Sequence, residues 1–160
     1  MSAPDAGVLA RLSAAHLDVE PLVRLVDSAL DEDLAGGEDV TSAATVPDDA
    51  VARATFVPRS SGVVAGMDVA ALVMARAARA PIAATAVATD GAVVEAGEPL
   101  LVCQGLARDL LLGERTALNL MGRMSGVATL TRAWVDAVAR TGAAVRDTRK
   151  TTPMLRSLEK

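Results

Sequence analysis

Apolar positions recur at helical spacing near the start of the chain. They fall at intervals of three and four residues between residues 20 and 34, while charged residues occupy the other positions. This pattern predicts an amphipathic helix that ends at Gly36-Gly37. The stripe that predicts it consists of Leu22, Leu25, Val26 and Leu30.

From residue 50 to about residue 105 the apolar runs become short and strand-like. Residues 52–57 alternate and stop at Pro58, and residues 62–66 form an apolar run bounded by glycines. Residues 68–80 are rich in alanine and predict a helix that ends at Pro81. Further short runs with turns at Asp90-Gly91 and Ala96-Gly97 predict a small antiparallel sheet. Strands with a packed helix indicate an α+β fold. The short runs of the predicted antiparallel sheet are residues 83–89, 93–94 and 100–102.

The longest helical pattern begins at Asp109, whose side chain we expect to cap it, and reaches residue 140. Gly122 and Gly126 predict a break, a bend or a close approach of neighbouring backbone within that stretch. Gly142 ends it. Residues 143–147 then predict a strand that closes with polar side chains, as strands of an α/β barrel do at their catalytic rim.

Composition narrows the classes of protein and site. The chain is 51% hydrophobic, but with one Phe, one Trp and no Tyr its core must consist of small side chains. A single cysteine, Cys103, allows no internal disulfide, and its apolar surroundings predict a buried thiol. One histidine, His16, excludes metal sites built from Cys and His. The absence of a long apolar span or a signal peptide favours the cytoplasm, and an acidic chain of net charge -4 argues against nucleic acid.

The segment 143–156 has the opposite charge to the rest of the chain. It carries four cations and one carboxylate, with three threonine hydroxyls among them. Cations and hydroxyl donors together suit the oxygens of a carboxylate or a phosphate, although a solvated basic loop is the alternative. The cations are Arg146, Arg149, Lys150 and Arg156; the carboxylate is Asp147.

Whether Arg149, Lys150 and Arg115 can bind an anion depends on local geometry. Arg149 and Lys150 would point to opposite faces of an extended strand, so both serve one pocket only if the chain bends near Thr152-Pro153. Arg115 does not face its neighbour Glu114 on a helix, which leaves its guanidinium available for another anion. The alternative for Arg115 is a helix-surface hydrogen bond to Asn119. A group of acidic residues between 31 and 39 lacks the spacing of a calcium loop and predicts a solvated loop.

Several segments resemble those of the quinolinate phosphoribosyltransferases, also called carboxylating nicotinate-nucleotide pyrophosphorylases. The most specific are Asp147-Thr-Arg-Lys-Thr-Thr-Pro153 and Glu114-Arg-Thr-Ala-Leu-Asn-Leu120; Ser125-Gly-Val-Ala-Thr129 adds to them. The resemblance implies an N-terminal α/β hammerhead-like sandwich over residues 1–113, with its leading helices. It implies the start of an α/β barrel, incomplete here, over residues 114–160.

The resemblance also implies a reaction and a site. Quinolinate and phosphoribosyl pyrophosphate would give nicotinate mononucleotide, pyrophosphate and CO₂ in NAD biosynthesis. Arg115, Thr148, Arg149 and Lys150 would bind substrate, and Lys150 would also be catalytic. Mg²⁺ would accompany phosphoribosyl pyrophosphate with ligands from outside this chain, and Arg115 would act across the interface of a homodimer.

The sequence departs from the family in two respects. Met154 stands where the family usually has a glycine after the proline, and the later Asn-His-Arg element is absent from these 160 residues. We therefore expect either a fragment of the enzyme or a truncated reading frame, inactive by itself in both cases. Two alternatives are another pyridine phosphoribosyltransferase, acting on nicotinate, and a non-catalytic binding module. Against the module, no lysine stands at the tip of the hairpin-rich segment 91–105, where a lipoyl-like domain would be modified.

Overall fold

The computed structural model describes residues 5–160, which fold into six helices and five strands in a mixed helix and sheet arrangement. The predicted α+β class is therefore confirmed. The helices are α1 (Ala6–Ala14), α2 (Val19–Leu34), α3 (Val40–Thr45), α4 (Met67–Ala77), α5 (Ala107–Val138) and α6 (Arg156–Glu159). The strands are β1 (Val51–Phe56), β2 (Gly62–Val63), β3 (Ala83–Ala86), β4 (Val93–Val94) and β5 (Leu101–Leu106).

The strands pair antiparallel, as predicted, but they form two sheets and not one. The larger sheet has the order β1-β5-β3, with Phe56 opposite Leu101 and Val51 opposite Leu106. The smaller sheet pairs β2 with β4. The two strands of the smaller sheet are only two residues long, because Gly66 turns the chain into α4 directly after the apolar run. Cys103 lies in the central strand β5 and is fully buried, as its sequence context predicts.

Helix α4 forms the centre of the core. Eight of its eleven residues are buried, and a helix that is apolar on nearly every side must be surrounded by other elements. The predicted helix over residues 20–34 packs beside it through the buried residues Leu22, Val26 and Leu30. Small side chains make up part of the core, as the composition predicts: Ala70, Ala71, Ala77 and Ala117 are all buried. Larger aliphatic side chains such as Leu72 and Met74 are fully buried beside them.

Helix α5 differs from its prediction in two ways. It runs for 32 residues without interruption, about 48 Å of helix, so Gly122 and Gly126 do not divide it into two helices. A Cβ atom built at either glycine would meet no other atom of the described residues within 4 Å. The proposed domain boundary between residues 113 and 114 lies inside this helix, and it stays a prediction.

Asp109 is not the cap of α5. The helix already begins at Ala107, because β5 runs into it without a loop, and Asp109 lies in the first turn with only 2% of its surface exposed. Its carboxylate accepts hydrogen bonds from the backbone and Nε of Arg79, both at 2.8 Å, and from the backbone N–H of Ala80 at 3.3 Å. A buried charge needs such partners. Asp109 thus fixes the turn that follows α4.

Two hydroxyl groups of α5 dock onto strand β2 and onto Ala65, two residues after it. Thr129 Oγ1 accepts a hydrogen bond from Val63 N at 2.9 Å and contacts Val63 O at 3.4 Å. Ser125 Oγ accepts one from Ala65 N at 3.0 Å and donates to Ala65 O at 3.2 Å. The distance along a helix between residues four apart and the distance along a strand between residues two apart are both about 6 Å. The two hydroxyls therefore match the spacing of the backbone groups that they bind, as a neighbouring strand would. A Cβ atom at Gly62 would lie 2.8 Å from Thr129 Oγ1, so this contact needs glycine there.

The predicted strand over residues 143–147 is absent, and that prediction is wrong. These five residues are exposed and have no regular secondary structure. A strand is stabilised by hydrogen bonds to a neighbouring strand, and no other strand among residues 5–160 lies beside this segment.

The second half of α5 presents apolar side chains to solvent. Leu130 is 62% exposed and Trp134 60% exposed, and they lie one turn apart on the same face. Within residues 5–160, no helix combines the length and the hydrophobicity that crossing a membrane requires.

The docking of α5 onto β2 predicts a stability effect. Replacement Thr129→Val keeps the shape of the side chain but leaves the Val63 N–H without its acceptor, which should reduce the free energy of unfolding by about 1–3 kcal/mol. Thr131→Val is the matched control, because Thr131 is exposed on the same helix and its hydroxyl forms no hydrogen bond with another described residue. Urea denaturation measures both variants. Equal losses would contradict the docking role.

Candidate functional site

The C-terminal segment, residues 147–160, is folded back onto the body of the chain. Leu155 and Leu158 pack against the hydrophobic core, and α6 ends beside α5. Asp147 pairs with Lys160 at 2.7 Å, and the hydrogen bond from Lys160 is the chief cause that lowers the pKa of Asp147, followed by the positive charges of Lys160 and Arg156. The basic segment is therefore held in place and is not a free tail.

One carboxylate organises the base of this segment. The side chain of Glu159 is only 8% exposed and accepts hydrogen bonds at Oε1 from Arg123 Nε at 2.9 Å and Nη2 at 2.6 Å. Glu159 Oε2 accepts the backbone N–H of Thr152 at 3.0 Å, and Arg123 Nη2 also donates to Thr152 Oγ1 at 2.7 Å. Hydrogen bonds from Thr152 and then Arg123 lower the pKa of Glu159 to about 2.

The two adjacent cations of the segment are exposed. The chain bends at Arg149, and Lys150 N donates to Thr148 Oγ1 at 3.1 Å. That both side chains serve one pocket stays a prediction. Among residues 5–160, neither Arg149 nor Lys150 has a carboxylate within ion-pair distance. Their charges are available to an external anion.

Arg115 is not free of partners, in contrast to the expectation from its neighbour Glu114. Its Nη1 donates to Asp33 Oδ1 at 2.6 Å, and it lies beside an open cleft of about 460 Å³. No hydrogen bond joins it to Asn119 in the described part of the chain. The pKa of Asp39, on the same cleft, is lowered chiefly by hydrogen bonds from Ser42, with a smaller contribution from the charge of Arg115.

The ion pair between Arg115 and Asp33 is weak. The side chain of Arg115 is 72% exposed, and ion pairs in such surroundings contribute about 0–1 kcal/mol. A hydrogen bond from a cation to a desolvated carboxylate contributes about 1.5–3 kcal/mol. An anion that meets Arg115 in a drier environment can therefore displace Asp33.

The structure does not bring Arg115 and the basic segment into one cavity. Arg123, which contacts the base of the segment, lies eight residues after Arg115 on α5, about 12 Å along the helix axis. The cleft beside Arg115 is lined by residues of α3, α5 and the loop before α3, and by none from residues 147–160. One chain therefore presents two separate basic positions.

Sequence reasoning missed Arg123, Glu159 and Asp33. The partners lie 36 residues apart for Arg123 and Glu159 and 82 residues apart for Arg115 and Asp33, so no local spacing connects them. One signal was available for Arg123. It is a lone cation beside Gly122 and the small residues that follow, where helix periodicity gives it no neighbouring acid at three or four positions.

The described residues do not provide a metal site. Within residues 5–160, no three His, Cys, Asp or Glu side chains are grouped to hold a metal ion. Two of the acidic residues between 31 and 39 have other partners: Asp33 binds Arg115, and Asp39 caps α3 by accepting Ser42 N at 3.0 Å. The thiol of Cys103 has its pKa raised to about 11 by burial, so it remains protonated and is not a nucleophile at neutral pH.

Comparison with known protein families gives two adjoining matches. Residues 39–125 match the model of the quinolinate phosphoribosyl transferase N-terminal domain, and residues 127–160 match the model of the C-terminal domain. The two matches meet inside α5, at Ser125 and Val127, so the helix belongs to both.

Similarity to individual known proteins supports these matches. The chain is 51% identical over 133 residues to the carboxylating nicotinate-nucleotide pyrophosphorylase of Mycobacterium leprae, a match that covers 82% of this chain and 47% of the relative. It resembles the crystal structure of NadC from Streptococcus pyogenes with a TM-score of 0.82 at 30% identity, covering 89% of this chain and 52% of the other. The nicotinate-nucleotide pyrophosphorylase of Francisella tularensis gives a TM-score of 0.80 at 29% identity. The chain thus spans about half the length of the relatives it matches.

The surroundings of Glu159 predict a pH dependence of stability. Its pKa is about 2 in the folded chain and near 4.5 when unperturbed, so its contribution is fully present above pH 4.5 and is lost as the pH falls towards 2. Wild-type protein should therefore lose more stability over this interval than Glu159→Gln. Chemical denaturation at a series of pH values measures this difference. Glu20→Gln, with an exposed carboxylate, is the control and should follow the wild type.

Proposed function

The chain belongs to the quinolinate phosphoribosyl transferase family, and on this premise we propose that it supplies part of the active site of a carboxylating nicotinate-nucleotide pyrophosphorylase. The reaction joins quinolinate to phosphoribosyl pyrophosphate and releases pyrophosphate and CO₂, giving nicotinate mononucleotide for NAD biosynthesis. The observation that carries the proposal is the exposed pair Arg149 and Lys150, two cations without a carboxylate partner in the described residues, on a segment held at both ends.

The proposed substrate suits this pair of cations. Quinolinate carries two adjacent carboxylates on a pyridine ring, and a planar guanidinium beside a compact ammonium matches such a dianion. Thr148 adds a hydroxyl, although that oxygen already accepts the Lys150 N–H. In the proposed mechanism the pyridine nitrogen displaces pyrophosphate at the anomeric carbon of ribose. The cations then hold the carboxylates in register while the bond from ring C2 to its carboxylate breaks and CO₂ leaves. The pyridinium stabilises the C2 carbanion that forms, and this carbanion takes a proton from water to give nicotinate mononucleotide.

Arg115 has a different place in the proposal. It lies apart from Arg149 and Lys150 in its own chain, and its exposed pair with Asp33 is weak enough to exchange for a substrate carboxylate. We propose that it reaches the basic segment of a second copy in a cytoplasmic homodimer. The exposed apolar face at Leu130 and Trp134 offers surface that such an assembly, or further parts of the protein, would cover.

Mg²⁺ belongs to the proposal as a companion of phosphoribosyl pyrophosphate. Its charge would neutralise the diphosphate, and its remaining ligands would come from outside residues 5–160, where no three His, Cys, Asp or Glu side chains are grouped to hold a metal ion. The 160-residue chain by itself should accordingly form no nicotinate mononucleotide.

The function is tested in a chimaera in which residues 1–160 are followed by the remaining C-terminal part of the Mycobacterium leprae relative. Quinolinate labelled at the 2-carboxylate should give labelled CO₂ and nicotinate mononucleotide in equal amounts. Nicotinate offered in its place should give no product. Turnover of nicotinate without release of CO₂ would favour the alternative pyridine phosphoribosyltransferase, and no turnover of either would favour a non-catalytic module.

Loss of either exposed cation should weaken quinolinate binding. In the chimaera, Arg149→Ala or Lys150→Ala removes a charge-assisted bond to a desolvated carboxylate, a loss of about 2–4 kcal/mol. Isothermal titration with quinolinate measures it. Arg146→Ala is the matched control, because Arg146 is an exposed cation of the same segment without a proposed contact. An equal loss in Arg146→Ala would indicate a general effect of charge.

The contribution of Arg115 from the second subunit predicts complementation. Arg115→Ala chains and Lys150→Ala chains of the chimaera should each be inactive, and mixing them under conditions of subunit exchange should restore part of the activity. One site of each mixed dimer then holds an intact Arg115 and an intact Lys150. If tagged subunits exchange and no activity returns, Arg115 acts within its own chain or does not contact the substrate.

A further inference from the structure

The basic pair lies at the tip of a loop whose two sides are tied to neighbouring residues. Before the pair, Asp147 binds Lys160 at 2.7 Å; after it, the backbone N–H of Thr152 binds Glu159 at 3.0 Å. Glu159 and Lys160 are adjacent, so positions 147 and 152 are held close to one point. The four residues between them, which include Arg149 and Lys150, form a short loop.

The two contacts that hold the loop, Asp147 with Lys160 and Thr152 with Glu159, differ in strength. The pair of Asp147 and Lys160 is about half exposed on both sides and is screened by solvent. The carboxylate of Glu159 is nearly buried and receives hydrogen bonds at both oxygens, from Arg123 at one and from Thr152 at the other. Charge-assisted bonds in partly desolvated surroundings are the stronger kind. The tie through Glu159 therefore dominates.

Arg123 connects this loop to the longest element of the fold. Its guanidinium spans two partners, since Nη2 donates both to Glu159 Oε1 and to Thr152 Oγ1. Arg123 itself belongs to α5, which is fixed to the core on its buried side through Leu120, Met121 and Met124. The loop thereby takes its position from a rigid helix and not from its own few apolar contacts.

We propose that Arg123 and Glu159 are positioning residues that hold Arg149 and Lys150 in the arrangement that binds the substrate dianion. This inference rests on the proposed function. Neither residue touches the substrate; both act through Thr152. We call the contacts among Arg123, Glu159 and Thr152 the clamp. A loop that is ordered before binding loses less conformational entropy when the anion arrives, so the clamp should contribute to substrate affinity.

The clamp itself is tested on the 160-residue chain without any substrate. In Arg123→Ala, the hydrogen-exchange rate of the Thr152 amide, measured by NMR, should rise at least about tenfold because its acceptor is no longer fixed. Amides that pair β1 with β5 should keep their protection, which shows that the variant is folded. Arg132→Ala is the matched control: Arg132 lies on the same helix, is similarly exposed and forms its ion pair with Asp136.

A second variant covers the case in which Arg123→Ala does not fold. Thr152→Val keeps the side-chain shape and removes only the oxygen that accepts from Arg123 Nη2, so it should raise the same exchange rate by a smaller factor. Arg123→Lys should retain part of the protection, because an ammonium keeps the charge but not the fork. Unchanged exchange at Thr152 in these variants would overturn the clamp.

The positioning role is tested in the chimaera described above. Arg123→Ala should raise KM for quinolinate about tenfold and leave kcat and the KM for phosphoribosyl pyrophosphate nearly unchanged, with Arg123→Lys intermediate and Arg132→Ala like the parent. Faster exchange at Thr152 with an unchanged KM for quinolinate would overturn the positioning role and leave a structural contact. An inactive parent chimaera would overturn the proposed function and, with it, this role, while the exchange data would still decide whether the clamp exists.

Discussion

The close approach of α4 and α5 is the contact on which the rest of this structure depends. It is possible because small residues lie between the helices. A Cβ atom at Gly113 would lie 2.9 Å from Met74 Sδ and 3.2 Å from Ala77 Cβ, and one at Gly66 would collide with Met124. A core poor in aromatic residues gains its dispersion energy from short distances between many small groups. Once these helices are in contact, the sheets have a fixed surface on which to pack.

The position of α5 then determines the use of the polar groups along it. Thr129 and Ser125 complete the hydrogen bonding of β2 and of Ala65 after it, which explains a serine and a threonine four residues apart in a motif that suggests chemistry. Asp109, at the start of the helix, satisfies the turn after α4. Both are structural roles. Arg108, Arg115 and Arg123 are cations of the same helix that reach segments distant in the sequence.

Nine of the sixteen cations form ion pairs within residues 5–160, and the adjacent Arg149 and Lys150 are among the seven that do not. Arg115 and Arg123 each bind a carboxylate, while Arg149 and Lys150 remain open to an anion. The separation of Arg115 from this pair within one chain fits a site that two subunits share, in agreement with the proposal for this family member. The hydrogen bonds of Glu159 with Arg123 and Thr152 connect the loop that carries Arg149 and Lys150 to α5.

Sequence periodicity alone determined the helix over residues 20–34, the strand at residues 52–57 and the burial of Cys103, because each depends on a repeat or an apolar context within a few residues. Motifs also identified Arg149 and Lys150 as candidates. Only the tertiary structure decided that Asp109 serves a turn 30 residues away, that Arg115 meets Asp33 and that Arg123 meets Glu159. It also left residues 143–147 without a strand, since a strand exists only beside a partner. Ion pairs and sheet pairing join residues that packing brings together from distant parts of the sequence. The spacing of neighbouring residues does not predict such contacts.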